Sequence, residues 1–331
     1  MKVKHVAIIG LGSIGRRHLR LLKELRPELE VTLVRSGKGP DCPEAELATR
    51  TVHDINEAVQ LGIHAAIISS PTSEHLKQAM ILGKAGIHFL LEKPLSLSLA
   101  GVNELLEKTA KASIVSLTGY AMRYDPGAKM FKEMLEKKDI GKFLQVRIEC
   151  GSYLPDWRPG QDYRNTVSAL PELGGGVLLE LSHELDYIRW FFGEFQSIQA
   201  NLSNSGTLGI NVEEAADLIL LSQNGLPVIL HLDFNQRFSK RFCSIQGTKG
   251  ELILNFVSKQ ITFHPAGSEP QIQSYEYERD HIYREQLYHF LDCIENGTTP
   301  SVTLEDGAAA LRIVDAARLS HQTGQRIELA S

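Results

Sequence analysis

The stretch that most limits what this chain can fold into is Gly10-Leu11-Gly12-Ser13-Ile14-Gly15. It follows the apolar run His5-Val6-Ala7-Ile8-Ile9 and opens a helical pattern from Arg16 to Leu25. In a strand-turn-helix unit the first glycine makes the tight turn, the second lets a pyrophosphate approach the backbone, and the third lets the helix pack on the strand. The N–H groups and positive dipole at the helix start then hold phosphate. Gly10, Gly12, Ser13, Ile14 and Gly15 are therefore expected to bind a dinucleotide.

From residue 5 to about 119, short β-rich runs alternate with helical runs, the signature of a doubly wound parallel sheet of the Rossmann type. The strands are read at Glu30 to Val34, His64 to Ser69, Ile87 to Leu91 and Ile114 to Thr118. Asp54-Ile55-Asn56-Glu57 has the form of a capping box, and Gly86 suits the left-handed position after a helix ending at Lys84. The pattern changes near Tyr120. A helix from about Gly127 to Lys138 leads into a strand from Phe143 to Ile148, then a Pro-, Gly- and aromatic-rich loop runs to Gly176. After a helix from Val177 to Phe192, strand-like runs with turn signals at Asn224-Gly225 and Lys249-Gly250 read as an antiparallel meander. Two amphipathic helices, about His281 to Glu295 and Leu304 to Gln322, close the chain. The expected architecture is α/β, with a Rossmann domain over residues 1–120 and an α+β domain over 121–331.

The 331 residues are 43% apolar, enough for two cores, and their 35 basic and 40 acidic residues are interspersed. With a net charge of -5 and no basic stripe, neither nucleic acid nor a membrane surface is an expected partner. No run approaches a membrane span and none has the form of a secretory signal, so a cytoplasmic protein is expected. Cys42, Cys150, Cys243 and Cys293 are far apart and show no metal-type spacing to the histidines, so they read as reduced packing residues and no metal is expected.

Chains of this type that prefer NAD carry Asp or Glu about 20 residues past the glycines, on the ribose 2′-hydroxyl. Here Arg35-Ser36 stands there, with Lys38 close by, and a guanidinium and a hydroxyl suit the 2′-phosphate of NADP. An arginine can also stack on adenine with either dinucleotide; the missing carboxylate is what favours NADP. Two stretches fall where strand ends face a ligand crevice: Ser70-Pro71-Thr72 with His75, and Glu92-Lys93-Pro94. Arg35, Ser36, Ser70, Pro71, Thr72, His75, Glu92 and Lys93 are thus further candidates for cofactor binding.

The glycine turn followed by His18, then Pro71-Thr72 with His75, then Glu92-Lys93-Pro94, resembles the Gfo/Idh/MocA family of nicotinamide-dependent oxidoreductases. The resemblance continues through Gly119-Tyr120, Arg123-Tyr124, Gly174-Gly175-Gly176, His183-Glu184-Leu185-Asp186 and the closing helix from Asp306. It implies a second domain with a large open sheet used for oligomerisation as a homodimer or homotetramer, and a polyol, sugar or sugar derivative as substrate. It places Lys93 on the family's catalytic lysine and His183 on its active-site histidine. The family commonly carries Asp four residues before that histidine; here Leu179 stands there, and Glu180 lies three before it. On one continuous helix, residues three apart share a face, so Glu180 and His183 are expected to work together. The segment from Gly151 to Arg164 resembles a subgroup among bacterial surface-sugar enzymes.

The resemblance thus implies hydride transfer between nicotinamide and a carbon bearing a hydroxyl or carbonyl. His183 is the expected proton acceptor in oxidation, Lys93 the group that stabilises alkoxide charge, and Glu180 the residue that orients His183. Lys93 is also a candidate acceptor. Arg123, Tyr163, Arg164 and His183 are candidates for substrate contact, arginine suiting a carboxylate or phosphate. Two other readings stand beside this one: a glycosidase that oxidises its sugar transiently with a retained cofactor, and a cofactor-sensing protein without chemistry.

Overall fold

The run from His5 to Ile9 forms β1 (His5–Ile9), buried on both faces near the middle of a six-stranded parallel sheet. The computed structural model describes residues 2–37, 42–137 and 139–329. After β1 come α1 (Ser13–Leu25), β2 (Glu30–Val34), β3 (Arg50–Val52), α2 (Ile55–Gln60), β4 (Ala65–Ile68), α3 (Thr72–Lys84), β5 (His88–Leu91), α4 (Val102–Lys111) and β6 (Ser116–Thr118). The sheet order is β3-β2-β1-β4-β5-β6, so the winding reverses between β1 and β4, where open α/β sheets hold their ligands. Ile9 lies opposite Val34 on one side and Ile68 on the other. Such doubly covered strands read as unbroken apolar runs, which is why most of them are visible in the sequence. β3, three residues long with two exposed, carries no such signal.

The second sheet has nine strands. It is built from β7 (Phe143–Gly151), β8 (Phe195–Ser203), β9 (Ala215–Ser222), β10 (Pro227–Asp233), β11 (Lys240–Gly247), β12 (Gly250–Asn255), β13 (Gln260–Pro265), β14 (Gln271–Ser274) and β15 (Ile327–Glu328). Their order is β14-β13-β12-β11-β7-β10-β9-β8-β15, and every pair is antiparallel except β7 with β10. Alternate residues, among them Ile148, Ile198, Leu218, Leu230, Cys243 and Leu254, are buried. The opposite face is expected from the resemblance to be an oligomerisation surface, and it is of mixed character. One row across it runs Ile272, Thr262, Ile253, Ser244, Arg147, Ile229, Ile219, Gln199, and the next holds Asp217, His231 and Glu149.

The helical part of this unit opens with α5 (Pro126–Lys137), where Gly127 lets the ring of Tyr275 come so close that a Cβ would sit 2.1 Å from Cζ. The sequence leads one to expect a single helix from Val177 to Phe192. Two are present, α6 (Val177–Glu180) and α7 (Ser182–Phe192), separated at Leu181. The long loop before them winds through four short 3-10 turns between Leu154 and Leu173.

The chain closes with α8 (His281–Asn296) and α9 (Leu304–Thr323) ahead of β15. By contacts, one compact unit comprises Met1–Ala121 with Arg279–Leu311, and the other Met122–Glu278 with Arg312–Ser331. Residues 279–311 thus depart from the 121–331 boundary expected from sequence. The cause is the apolar stripe of α8: Leu287, Phe290, Leu291 and Ile294 share one core with Leu19, Leu21 and Leu22 of α1. Thr118 confirms the grouping by donating its hydroxyl to Thr303 O at 2.9 Å.

Candidate active site

The glycine turn has a separate reason for each glycine. Gly10 has φ +89°, and a Cβ there would lie 2.7 Å from Ser70 N. At Gly15 a Cβ would meet Gly10 O at 2.2 Å, so α1 can pack this tightly only without one. Ser69 Oγ locks the turn from β4 by reaching Ile9 O at 3.0 Å and Gly10 O at 2.9 Å. Gly12 is different, because among the described residues nothing beyond its own chain neighbours lies within 4 Å of where its Cβ would be. The backbone there faces open space at the start of α1, where Gly12 provides no side-chain cap and no acidic residue occupies the first turn. This is the geometry a pyrophosphate needs, with Ser13 and Ile14 presenting the first helical N–H groups. The residues present fit a dinucleotide.

Arg35 and Ser36 leave the end of β2 beside this turn, Gly10 N donating to Val34 O and Arg35 N to Val52 O, both at 3.0 Å. His53 Nδ1 lies 2.9 Å from Arg35 O. Lys38 lies outside the described residues. Ser70 donates its hydroxyl to Gln78 Oε1 at 2.7 Å, and Pro71 stands at the N-cap of α3, with Thr72 as its first residue. His75 departs from the role read for it. It is buried, with Nδ1 2.8 Å from Pro94 O and Nε2 2.9 Å from Ser70 O, so both ring nitrogens face backbone carbonyls and neither is available to a cofactor. Burial pushes its pKa below the ordinary histidine value.

Glu92 departs in the same way. Its carboxylate turns into the unit, accepting from His18 Nε2 at 2.6 Å and from Lys93 N at 3.3 Å. Lys93 is half-buried and follows the end of β5 by two residues.

In the other unit, Glu180 closes α6 and His183 lies in the first turn of α7. The break at Leu181 removes the continuous helix that a shared face for these two residues requires. Glu180 accepts from Ser168 Oγ at 3.0 Å, so the long loop, and not a helical neighbour alone, fixes its carboxylate. The arginines read as substrate ligands are occupied. Arg123 donates from Nε and Nη2 to Asp186 Oδ2 and Oδ1 at 2.9 and 2.6 Å, both side chains being buried. Arg164 makes a two-pronged pair with Asp162, at 2.9 and 3.0 Å, in the exposed loop. Tyr163 donates its hydroxyl to Leu208 O at 2.8 Å, tying that loop to the segment before β9.

Two buried residues flanking His183 by one and three positions were not singled out as functional from sequence. Glu184, wholly buried, accepts from Arg241 Nε of β11 at 2.6 Å, and Asp186 holds Arg123. Acidic residues on an otherwise apolar helix were the available signal, since buried carboxylates require partners. Burial, and after it the negative charge of Glu184, raises the thiol of Cys150 and the phenol of Tyr187 well above their ordinary values.

Comparison with known proteins agrees with this architecture. Residues 4–120 match the family model described as oxidoreductase family, NAD-binding Rossmann fold, and residues 132–329 match that of the oxidoreductase family C-terminal alpha/beta domain. The chain is 28% identical to myo-inositol 2-dehydrogenase of Thermotoga maritima, with 98% of each chain covered. It is 27% identical to 1,5-anhydro-D-fructose reductase of Ensifer adhaerens over 81% of this chain and 80% of that one. Among solved structures, levoglucosan dehydrogenase in complex with NADH superimposes with a TM-score of 0.86 at 19% identity, covering 99% of both chains. The glycine turn, the strand-end lysine and the nine-stranded sheet therefore have one explanation: the chain belongs to the Gfo/Idh/MocA family of oxidoreductases.

Proposed function

We propose that this protein is an NAD(P)-dependent dehydrogenase or reductase acting on a CH–OH carbon of a sugar, polyol or sugar derivative, working in the cytoplasm. The observation that carries the reading is the open backbone at Gly12 ahead of an uncapped helix, in the same unit as Lys93 at the end of β5. Its whole-length likeness to an inositol dehydrogenase supports the substrate class. When bound, the nicotinamide supplies the hydride chemistry. The backbone from Gly10 to Gly15 holds the pyrophosphate, and Arg35 with Ser36 receives a 2′-phosphate, so that NADP is preferred.

Lys93 bonds the reacting oxygen through its ammonium and stabilises the charge that develops there as the hydroxyl proton leaves. His183 takes that proton in oxidation and returns it in reduction, and Glu180 sets the direction of the imidazole. The open face of the nine-stranded sheet meets a second copy of this chain, its exposed isoleucines supplying apolar area and its charged row fixing orientation. The deciding experiment is a screen of inositols, monosaccharides, anhydrosugars and sugar nucleotides with each dinucleotide, followed by the absorbance of reduced nicotinamide. At least one polyol or sugar is expected to give sustained turnover. Cofactor that is recycled without net reduction would point to the glycosidase reading instead.

A further inference from the structure

Three sequence features far apart in the chain, His18, Glu92 and Gly119, converge on one point. His18 lies on the second turn of α1, wholly buried, and donates through Nε2 to Glu92 Oε1 at 2.6 Å. Glu92 Oε2 accepts the backbone N–H of Lys93 at 3.3 Å. Gly119, just past β6, covers the carboxylate so closely that a Cβ would stand 2.8 Å from Glu92 Oε2 and 2.9 Å from its Cα. The strand hydrogen bonds continue through the same residues, Glu92 N donating to Ile68 O and Gly119 N to Leu91 O. One residue on, His75 sits between Pro94 O and Ser70 O.

The geometry points to His18 and Glu92 as positioning residues for Lys93, joining the phosphate-binding helix to the strand end that carries the lysine. This rests on the reading of Lys93 as a catalytic residue.

A buried carboxylate is stable only when donors satisfy it, and here one donor comes from α1 and the other is the Lys93 peptide itself. His18 Nδ1 is buried without a hydrogen-bond partner among the described residues. A carboxylate oxygen only accepts, so the proton on Nε2 is the one aimed at Glu92, and that bond is the ring's only hydrogen bond among the described residues. The edge of the ring rests near Tyr283 of α8, 6.2 Å between centroids, so the imidazole has packing on one side and the carboxylate on the other. Removing the histidine therefore acts on the Lys93 backbone through a single side chain, that of Glu92. A misplacement of about 1 Å at a reacting group costs on the order of 10²-fold in rate.

The test compares His18→Leu, which removes the donor, His18→Gln, which replaces it, and Glu92→Gln, which removes the charge, all in the full chain. Dissociation constants for NADPH and NADH are measured by fluorescence titration. The reactivity of Lys93 towards acetic anhydride is measured by mass spectrometry against Lys111, which is 80% exposed on α4. His18→Leu and Glu92→Gln should change the labelling rate of Lys93 relative to Lys111, and should lower kcat by about 10²-fold while dinucleotide affinity is retained. His18→Gln should restore most of both. If His18→Leu does not fold, Glu92→Gln and His18→Gln carry the same comparison. Lys93 labelling that is identical in native protein and folded variants would overturn the inference, whatever happens to turnover. Native turnover in Lys93→Ala would instead overturn the catalytic reading, and the labelling result would still decide the placement.

Discussion

Arg123 and Asp186 face each other side-on, guanidinium to carboxylate, with both oxygens engaged and the aspartate wholly buried. Such a pair fixes direction as well as distance, because two parallel bonds admit one orientation. It ties α7, which carries His183, to Arg123 within the same unit. Breaking it takes from a buried charge its two-bonded partner. Asp186→Ala should therefore destabilise the protein by about 3 to 5 kcal/mol. Arg123→Lys should recover little, since an ammonium cannot reproduce the fork. Denaturant unfolding measures both. A rise in KM with an unchanged unfolding midpoint in Arg123→Ala would return Arg123 to the substrate.

Lys93→Ala should abolish turnover and leave dinucleotide affinity close to native, because the phosphate contacts come from backbone N–H groups that the change does not touch. His183→Ala should lower kcat by roughly 10² to 10⁴ and remove the ionisation near neutrality from its pH profile. Survival of that ionisation in His183→Ala would make Lys93 the proton acceptor.

Arg35→Asp should reverse the cofactor preference. A carboxylate there repels the 2′-phosphate and accepts from the ribose hydroxyl of NAD. Fluorescence titration with both reduced dinucleotides reads the change directly. A native protein that binds NADH tenfold tighter than NADPH, about 1.4 kcal/mol, would sink the phosphate assignment.

On the open face of the large sheet, His231 Nε2 lies 3.1 Å from Asp233 and Nδ1 2.7 Å from Asp217. The bond to Asp233, helped by Asp217 and opposed by partial burial, raises its pKa from 6.5 to about 9. The folded protein thus holds this proton more tightly than the unfolded chain does. The resulting stabilisation is complete below pH 6.5 and disappears as pH rises through about 9. The imidazole is 36% exposed, so solvent keeps the effect modest. Melting temperatures of native protein and His231→Gln should differ at about pH 6 and converge at about pH 10. A gap that is constant over that range would contradict the assignment.

Ile219 and Ile229, 56% and 40% exposed, stand opposite each other on that face. Replacing both by Lys should dissociate a homo-oligomer built on this surface without unfolding the subunit, since neither side chain is in the core. Sedimentation velocity distinguishes the species. A native protein that sediments as a monomer at micromolar concentration would remove the surface from consideration.

What could be read from the sequence follows the range over which each signal acts. The turn from Gly10 to Gly15 and most of the parallel strands are announced by residues adjacent in the chain. Asp54 caps α2 as its spacing suggests, accepting from Asn56 N at 2.6 Å. Arg123 looked like a substrate ligand because its partner is 63 residues away, and charge alone does not reveal pairing. Glu92 looked like a cofactor contact for the same reason, its donor lying 74 residues back on α1. The break at Leu181 was hidden because Val177 to Phe192 has helical composition throughout. Only the packing of this segment could reveal it. The allegiance of α8 was equally hidden, as an apolar stripe shows that a helix is covered and not by what.

The one parallel pair in the large sheet, β7 with β10, has a consequence for how the protein is made. β7 sits at the sheet's centre, yet its two neighbours, β10 and β11, begin at Pro227 and Lys240, long after β7 ends at Gly151. On the ribosome the central strand therefore emerges with neither edge covered, and stays so while the intervening segment is translated. Pairings of such sequence separation form slowly and leave strand edges open to other chains meanwhile. Newly made β7 is accordingly the segment a chaperone has most reason to shield.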